Sequence, residues 1–208
     1  MPVYTVILKY LSVIVVGYLL GSVPMAIPVS RLLFNKDVRE EGSNNAGTTN
    51  MARVYGMGAG AFTLVGDILK TVLAIWFGRI LLGEPGHFCA GVAALFGHCW
   101  PVFYEFRGGK GISAGAVIAL FISWKLLAIL AVVFLLGAFI SKKVSLGSVL
   151  AAAAMIIAVF FVTDLMSLRI LAVFTAVVVL YRHIPNIRRL IRHEEPDFKL
   201  PSHKNRKK

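Results

Sequence analysis

Charge is scarce in this sequence. Only 15% of its 208 residues are Asp, Glu, Lys or Arg, and only 10 residues are acidic. A soluble domain carries nearer a quarter charged residues and about half apolar ones. Here 58% are hydrophobic and mean hydropathy is +0.78. One soluble core of this size has no room for that much apolar side chain. Disorder and a collagen-like fibre are excluded by the same numbers. Cysteine is nearly absent too: Cys89 and Cys99 are the two present. Ten residues apart on a helix they stand about 15 Å apart, too far to bridge, and no Cys/His spacing suits zinc. The start does not read as a secretory signal, because no basic segment precedes the apolar run. What remains is a polytopic all-α membrane protein.

Against this apolar background stand 22 Lys and Arg, for a net charge of +12. Apolar runs cover residues 3–33, 58–82, 87–103, 113–123, 126–140, 148–162 and 168–181. Several fall short of the ~20 residues of a straight span, which predicts short or partly re-entrant helices. Residues 113–140 read as one long helix or two short ones, with Trp124-Lys125 resembling an interfacial turn. With seven spans, residues 31–53, 107–110, 142–143 and 182–208 fall on one side and hold 17 of the 22 cations. The positive-inside rule makes that side cytoplasmic, with the N-terminus outside and the C-terminus inside. Six spans would put the nine-cation C-terminal segment outside. The expected organisation is one seven-helix unit over residues 1–195 and a basic cytoplasmic tail over 196–208. The tail suits anionic lipid headgroups; it has no nucleic-acid-binding motif.

Polar residues gather in the cytoplasmic segments. Gly42 to Asn50 is an unbroken run of small or polar residues between Arg39 and Arg53. A flexible linker has this composition, and so does an anion-binding nest of backbone N–H groups flanked by cations. Gly108-Gly109-Lys110-Gly111 opens a helix, where N–H groups and the positive dipole end favour an anion. It is not a Walker A loop, since Tyr104 stands where Gly is required and Gly111 where Ser or Thr is. His98, just before it on an apolar helix, reads as a structurally satisfied histidine. Asp67 and Lys70, spaced i, i+3 inside a span, share a face and can pair. Charges there are costly and mark either a functional site or a self-neutralising pair. Ser145 and Ser148 follow Lys142-Lys143 at a helix start, where Ser is first an N-cap. Arg182-His183-x-x-Asn186 at the membrane surface offers a base and phosphate donors. Several Gly-, Asn- and cation-rich loops on one side predict a site for more than one phosphate.

In order, Gly42-Ser43-x-Asn45-x-Gly47-x-Thr49-Asn50 with Arg53, then Gly97-His98-x-x-Pro101-Val102-Phe103-x-x-Phe106-x-Gly108-Gly109-Lys110-Gly111, then Arg182-His183-x-x-Asn186-Ile187-x-Arg189-Leu190 resemble the bacterial acyl-phosphate:glycerol-3-phosphate acyltransferases (PlsY). Asp67 and Lys70 resemble that family's intramembrane Asp-x-x-Lys, and Ser145 with Ser148 its serine pair. The resemblance spans residues 3–195, with departures at Ala114, where the family often has Thr, and at His193, where it has Gly. It implies a seven-helix enzyme of the bacterial inner membrane. That enzyme transfers an acyl group from acyl-phosphate to the 1-hydroxyl of glycerol-3-phosphate without an acyl-enzyme. Ser43, Asn45, Thr49, Gly108, Gly109, Lys110 and Gly111 are then expected to hold acyl-phosphate. Arg53, Lys110, Ser148, Arg182, His183 and Asn186 are expected to hold glycerol-3-phosphate, with Lys110, Ser148, His183 and Asn186 carrying the chemistry. No metal or cofactor is implied. Membrane lipids and the peripheral enzyme that makes acyl-phosphate are the further expected partners.

Two rivals are weaker. Acyltransferases built on His-x-x-x-x-Asp fail, since the fifth residue after His87, His98, His183, His193 and His203 is Val92, Phe103, Arg188, Phe198 and Lys208. A small transporter or channel for an organic phosphate fits the intramembrane charges, but no internal repeat supports it.

Overall fold

The computed structural model describes residues 2–200. Among the described residues there are ten α-helices and no strand. They are α1 (Val3–Gly21), α2 (Ala26–Phe34), α3 (Thr48–Tyr55), α4 (Met57–Leu82), α5 (Glu84–Cys99), α6 (Ile112–Ile122), α7 (Trp124–Ser141), α8 (Val144–Ala158), α9 (Met166–Arg182) and α10 (Ile184–Ile191). Four stretches are long and apolar enough to cross a membrane: Val3–Phe34, Met57–Leu82, Trp124–Ser141 and Val144–Phe161. The pair α9 and α10, bent by 59°, passes the same test only when its two helices are taken together. At 16 and 11 residues, α5 and α6 are the short helices that the sequence predicts.

Polarity is arranged for a lipid solvent. Phe139, Ile140 and Phe161 are among many large apolar residues left exposed, a surface rare in water-soluble monomers. Inside, helices approach through small residues. A Cβ on Gly21 of α1 would collide with the Ala94 backbone of α5, and one on Gly97 with Tyr18 O. Close backbone approach of this kind drives helix association in a bilayer, where apolar burial alone gives no preference.

Three breaks shape the bundle. The first apolar run, expected as one span, is interrupted between α1 and α2 at residues 22–25, which include Pro24. Residues 113–140 resolve into two helices. Ser123 is extended at φ −165°, and its hydroxyl accepts from Lys125 N at 3.2 Å, capping α7. At the third break His183 closes α9, and Pro185 sits in the first turn of α10, where its missing N–H costs nothing.

The Gly- and Asn-rich first loop is not a flexible linker. Asn50, buried at the start of α3, accepts from Ser43 N at 2.9 Å and donates to Val38 O and Glu41 O. Arg39 pairs with Asp37 and donates to Tyr104 O at 2.9 Å, tying this loop to the next one. Arg39 is therefore a structural cation rather than a free flank of an anion nest. Cys89 and Cys99 are free thiols. The expected tail begins docked: Asp197 pairs with Lys143 at 2.7 Å, and Phe198 N donates to Lys142 O. Residues 201–208 lie outside the described residues.

Candidate active site

Three helix starts line one cavity of about 450 Å³. Thr48 and Thr49 come from α3, Ile112 and Ser113 from α6, and Val144 and Ser145 from α8. First-turn N–H groups have no intrahelical partner, and each start carries the positive end of a helix dipole. Gly111 makes the α6 start possible: its φ of +86° suits glycine, and a Cβ there would meet Leu95 and Cys99. The end of α9 closes the same cavity with His183, and α10 adds Asn186 and Arg189. The size falls within the range of small-ligand pockets.

Of the residues expected from the sequence, Ser43, Asn45, Thr49, Arg53, Lys110, Ser148, His183 and Asn186 all line this cavity, and so does Asp67. They come from segments up to 143 residues apart in the chain. Lys110 Nζ donates to Asn186 Oδ1 at 2.6 Å. Asn186 Nδ2 donates to Glu195 Oε1 at 2.7 Å, and Arg189 Nε donates to Glu195 Oε2 at 2.7 Å. The carboxylate thus fixes which face of the Asn186 amide meets Lys110, since only the NH₂ can donate to it. Burial would raise the Glu195 pKa, but the neighbouring Ser145 hydroxyl together with the hydrogen bonds from Asn186 and Arg189 outweighs it and holds the carboxyl below its ordinary value. Lys110 is pushed down to about 8, chiefly by burial, with Arg189, Arg182 and Arg53 adding to the fall and Glu195 opposing it.

His183 is buried, and its Nδ1 lies 2.8 Å from Val179 O. A carbonyl only accepts, so Nδ1 carries a proton, and in the neutral ring Nε2 is left as an acceptor. Ser148 donates its hydroxyl to Val144 O at 3.0 Å, the back-bond of a helical serine.

Other expected residues stand elsewhere. Gly108, Gly109, Gly111, Arg182 and Lys70 are not part of the cavity lining. The Arg182 guanidinium donates to Gly108 O and Gly109 O at 3.0–3.2 Å and lies 5.3 Å from the Trp100 ring centroid. It holds the glycine loop instead of facing the cavity as a phosphate ligand would. Gly109 N donates to His98 O at 3.0 Å, so that N–H is already committed. Asp67 and Lys70 do pair, at 2.8 Å, and His98 Nδ1 lies 3.1 Å from Lys70 Nζ. His98 is therefore engaged by an ionic group as well as packed. Among the described residues no cluster of His, Cys, Asp and Glu is arranged to hold a metal.

The family model for glycerol-3-phosphate acyltransferase matches residues 11–193. A glycerol-3-phosphate acyltransferase of Geobacillus kaustophilus is 38% identical over 190 residues, covering 91% of this chain and 96% of the relative. The chain belongs to the glycerol-3-phosphate acyltransferase family. It is an acyltransferase of the membrane. The Bacillus subtilis member is 37% identical over 186 residues, covering 89% of this chain and 96% of its own. The crystal structure of PlsY, an integral membrane glycerol 3-phosphate acyltransferase, in its glycerol 3-phosphate form superposes with a TM-score of 0.86 at 28% identity. The match covers 91% of this chain and 96% of that one. A lysophosphatidic acid form of PlsY superposes with a TM-score of 0.82 over 91% of this chain and 95% of that one, also at 28% identity.

Sequence reasoning passed over some residues of this acyltransferase's cavity. Glu195 is not among the expected site residues, although acids that directly follow a cationic helix are themselves a signal of pairing. Thr175 also lines the cavity, and its fully buried hydroxyl makes no hydrogen bond. No local pattern marks it, because a threonine inside an apolar helix ordinarily bonds its own backbone.

Proposed function

We propose that this acyltransferase moves a fatty acyl group from acyl-phosphate to the 1-hydroxyl of glycerol-3-phosphate. The products are lysophosphatidic acid and phosphate, the first acylation step of phospholipid synthesis. One observation carries the reading: a single cavity has both a polar lining and an apolar one. The polar lining has three helix starts with Arg53, Lys110 and Arg189. The apolar lining includes Leu127, Leu130 and Phe134 of α7 and Ala151, Ala152 and Met155 of α8. Two phosphates suit the first and a fatty chain the second.

Acyl-phosphate is already activated, so a covalent acyl-enzyme adds nothing the reaction needs. The back-bonded Ser148 supports direct transfer. The glycerol oxygen attacks the acyl carbonyl, the new ester C–O bond forms and the C–O bond to phosphate breaks. Ser43, Asn45, Thr49 and Lys110 hold the acyl-phosphate, with the 108–111 turn shaping its cradle. Arg53, Lys110, Ser148, His183 and Asn186 hold glycerol-3-phosphate, and Arg182 contributes through the loop it grips. Both cavity carboxylates are engaged, Asp67 with Lys70 and Glu195 with Arg189. On this reading the hydroxyl proton passes to a phosphate oxygen of the substrate, while His183 Nε2 orients the hydroxyl. Positioning and charge neutralisation supply the rate.

Purified enzyme given acyl-phosphate and labelled glycerol-3-phosphate should form lysophosphatidic acid and release phosphate; product from acyl-CoA alone would defeat the donor assignment. In the same assay His183→Ala should keep kcat within tenfold at saturating substrate while KM rises. A kcat loss of ~10²–10⁴-fold would instead make His183 the general base.

The unit over residues 1–195 is read as a seven-span bundle in a bacterial inner membrane, with α1 and α2 together as one span and α4 to α9 as the others. Residues 196–208 form a basic tail. The cavity end carries the cation-rich segments, which supports a cytoplasmic active site and an external N-terminus. That face also suits docking of the peripheral enzyme that makes acyl-phosphate. A C-terminal reporter active only outside the cytoplasm should stay silent; a signal from it would reverse the topology.

A further inference from the structure

Buried between α1, α4 and α5 is a charged cluster that the transfer reaction does not use. Asp67 and Lys70 of α4 pair at 2.8 Å, and both are almost fully buried. A pair present only to neutralise itself would need no third partner. Here both ions reach beyond each other. Lys70 Nζ donates to Val23 O at 2.9 Å, and Asp67 Oδ1 accepts from Met25 N at 3.1 Å. These bonds satisfy backbone groups freed by the break between α1 and α2, which in a bilayer have no water to turn to.

The third arm points at the active site. Lys70 Nζ lies 3.1 Å from His98 Nδ1. An ammonium only donates, so toward Lys70 Nδ1 accepts and the ring proton sits on Nε2; Asp67 Oδ1, 3.6 Å from the same Nδ1, lies beyond hydrogen-bond reach. That Nε2 abuts Gly109, whose Cβ, if it had one, would fall on it. Gly109 N donates to His98 O at 3.0 Å, while Gly109 O accepts from Arg182. The residue after Gly109 is Lys110, with its ammonium in the cavity. Asp67 and His98 themselves form part of the cavity wall, and Asp67 Oδ2 is buried without a hydrogen-bond partner.

We propose that Asp67, Lys70 and His98 are positioning residues for acyl transfer: the buried pair locks the His98 ring, and His98 sets the glycine loop that places Lys110. The inference rests on reading that loop as part of the phosphate cradle. Because an error of about 1 Å in such a group can cost ~10²-fold, the cluster's effect should appear in kinetics rather than in folding alone.

The test uses the full chain in steady-state assays with glycerol-3-phosphate and acyl-phosphate, alongside thermal unfolding. His98→Leu should lower kcat/KM by roughly 10–100-fold with little change in melting temperature. His98→Asn can offer Lys70 an acceptor near the Nδ1 position and should recover most of that loss. Lys70→Met should resemble His98→Leu, and the double variant should be no worse than the poorer single, since the two act as one unit. Equal losses in the Leu and Asn variants would overturn the proposal, as would losses that multiply in the double variant. So would unaltered kcat/KM accompanied by a lowered melting temperature, or failure of both His98 variants to fold, because either makes the cluster structural only. If Lys70→Met alone fails to fold, the His98 pair decides, since neither substitution touches the α1–α2 break. Lys110→Ala serves as the control: an unaffected enzyme there would overturn the cradle reading, and with it this proposal.

Discussion

Lys110→Ala lowers kcat/KM for glycerol-3-phosphate by at least about 10²–10³-fold, the size expected when one preorganised donor to a developing anion is removed. The side chain is positioned for this effect from two directions. Its ammonium is held by Asn186 Oδ1, which is itself fixed by Glu195, and the next residue opens α6. Its pKa, pushed down to about 8 by burial, gives the expectation a pH signature. In the free enzyme Lys110 is charged below that value and loses its proton as pH rises through it. The substrate phosphate becomes a dianion above about 6. A plot of kcat/KM against pH should therefore rise through about 6 and fall through about 8, and Lys110→Arg should move the falling limb upward. A full-rate Lys110→Ala enzyme, or a flat alkaline limb in the parent, would remove Lys110 from phosphate binding.

Gly109→Ala costs about 10²-fold in kcat/KM, although it adds a single methyl group. The methyl would fall on the His98 ring. A flexible side chain would swing aside, but this one is buried and held at Nδ1 by Lys70. The loop must move instead, against the grip of Arg182 on both of its glycine carbonyls. Displacement of Lys110 should raise KM for both phosphate substrates together. An unchanged KM for both would show that the loop has slack and that its position does not govern the cradle.

Much of this molecule is legible one residue at a time. Hydropathy separates apolar runs from polar loops because lipid penalises each side chain by its own chemistry. The glycines of residues 108–111 announce a helix start, because they act on neighbouring backbone. The polar loops likewise name the residues of the cavity: Ser43, Thr49, Arg53, Lys110, His183 and Asn186 were all readable from composition and motif. The breaks were harder to read. Residues 113–140 are apolar enough for one helix, and only the Ser123 cap divides them. Residues 3–33 read as one span, yet the chain opens at 22–25 because Asp67 and Lys70, more than 40 residues away, supply partners for the freed backbone.

The sequence by itself determined the solvent, the all-helical class, the cation-rich face and the set of polar residues available for chemistry. These depend on local properties: transfer free energy, backbone preference and charge. Only the tertiary structure decided how that set is divided. Arg53 faces the cavity, while Arg39 holds Tyr104 and Asp37, and Arg182 holds the glycine loop. His98, read as a packed histidine, takes its place between Lys70 and Gly109. Each donor in a bilayer must find an acceptor inside the protein. Which one it finds is settled when segments distant in the chain close around the same space.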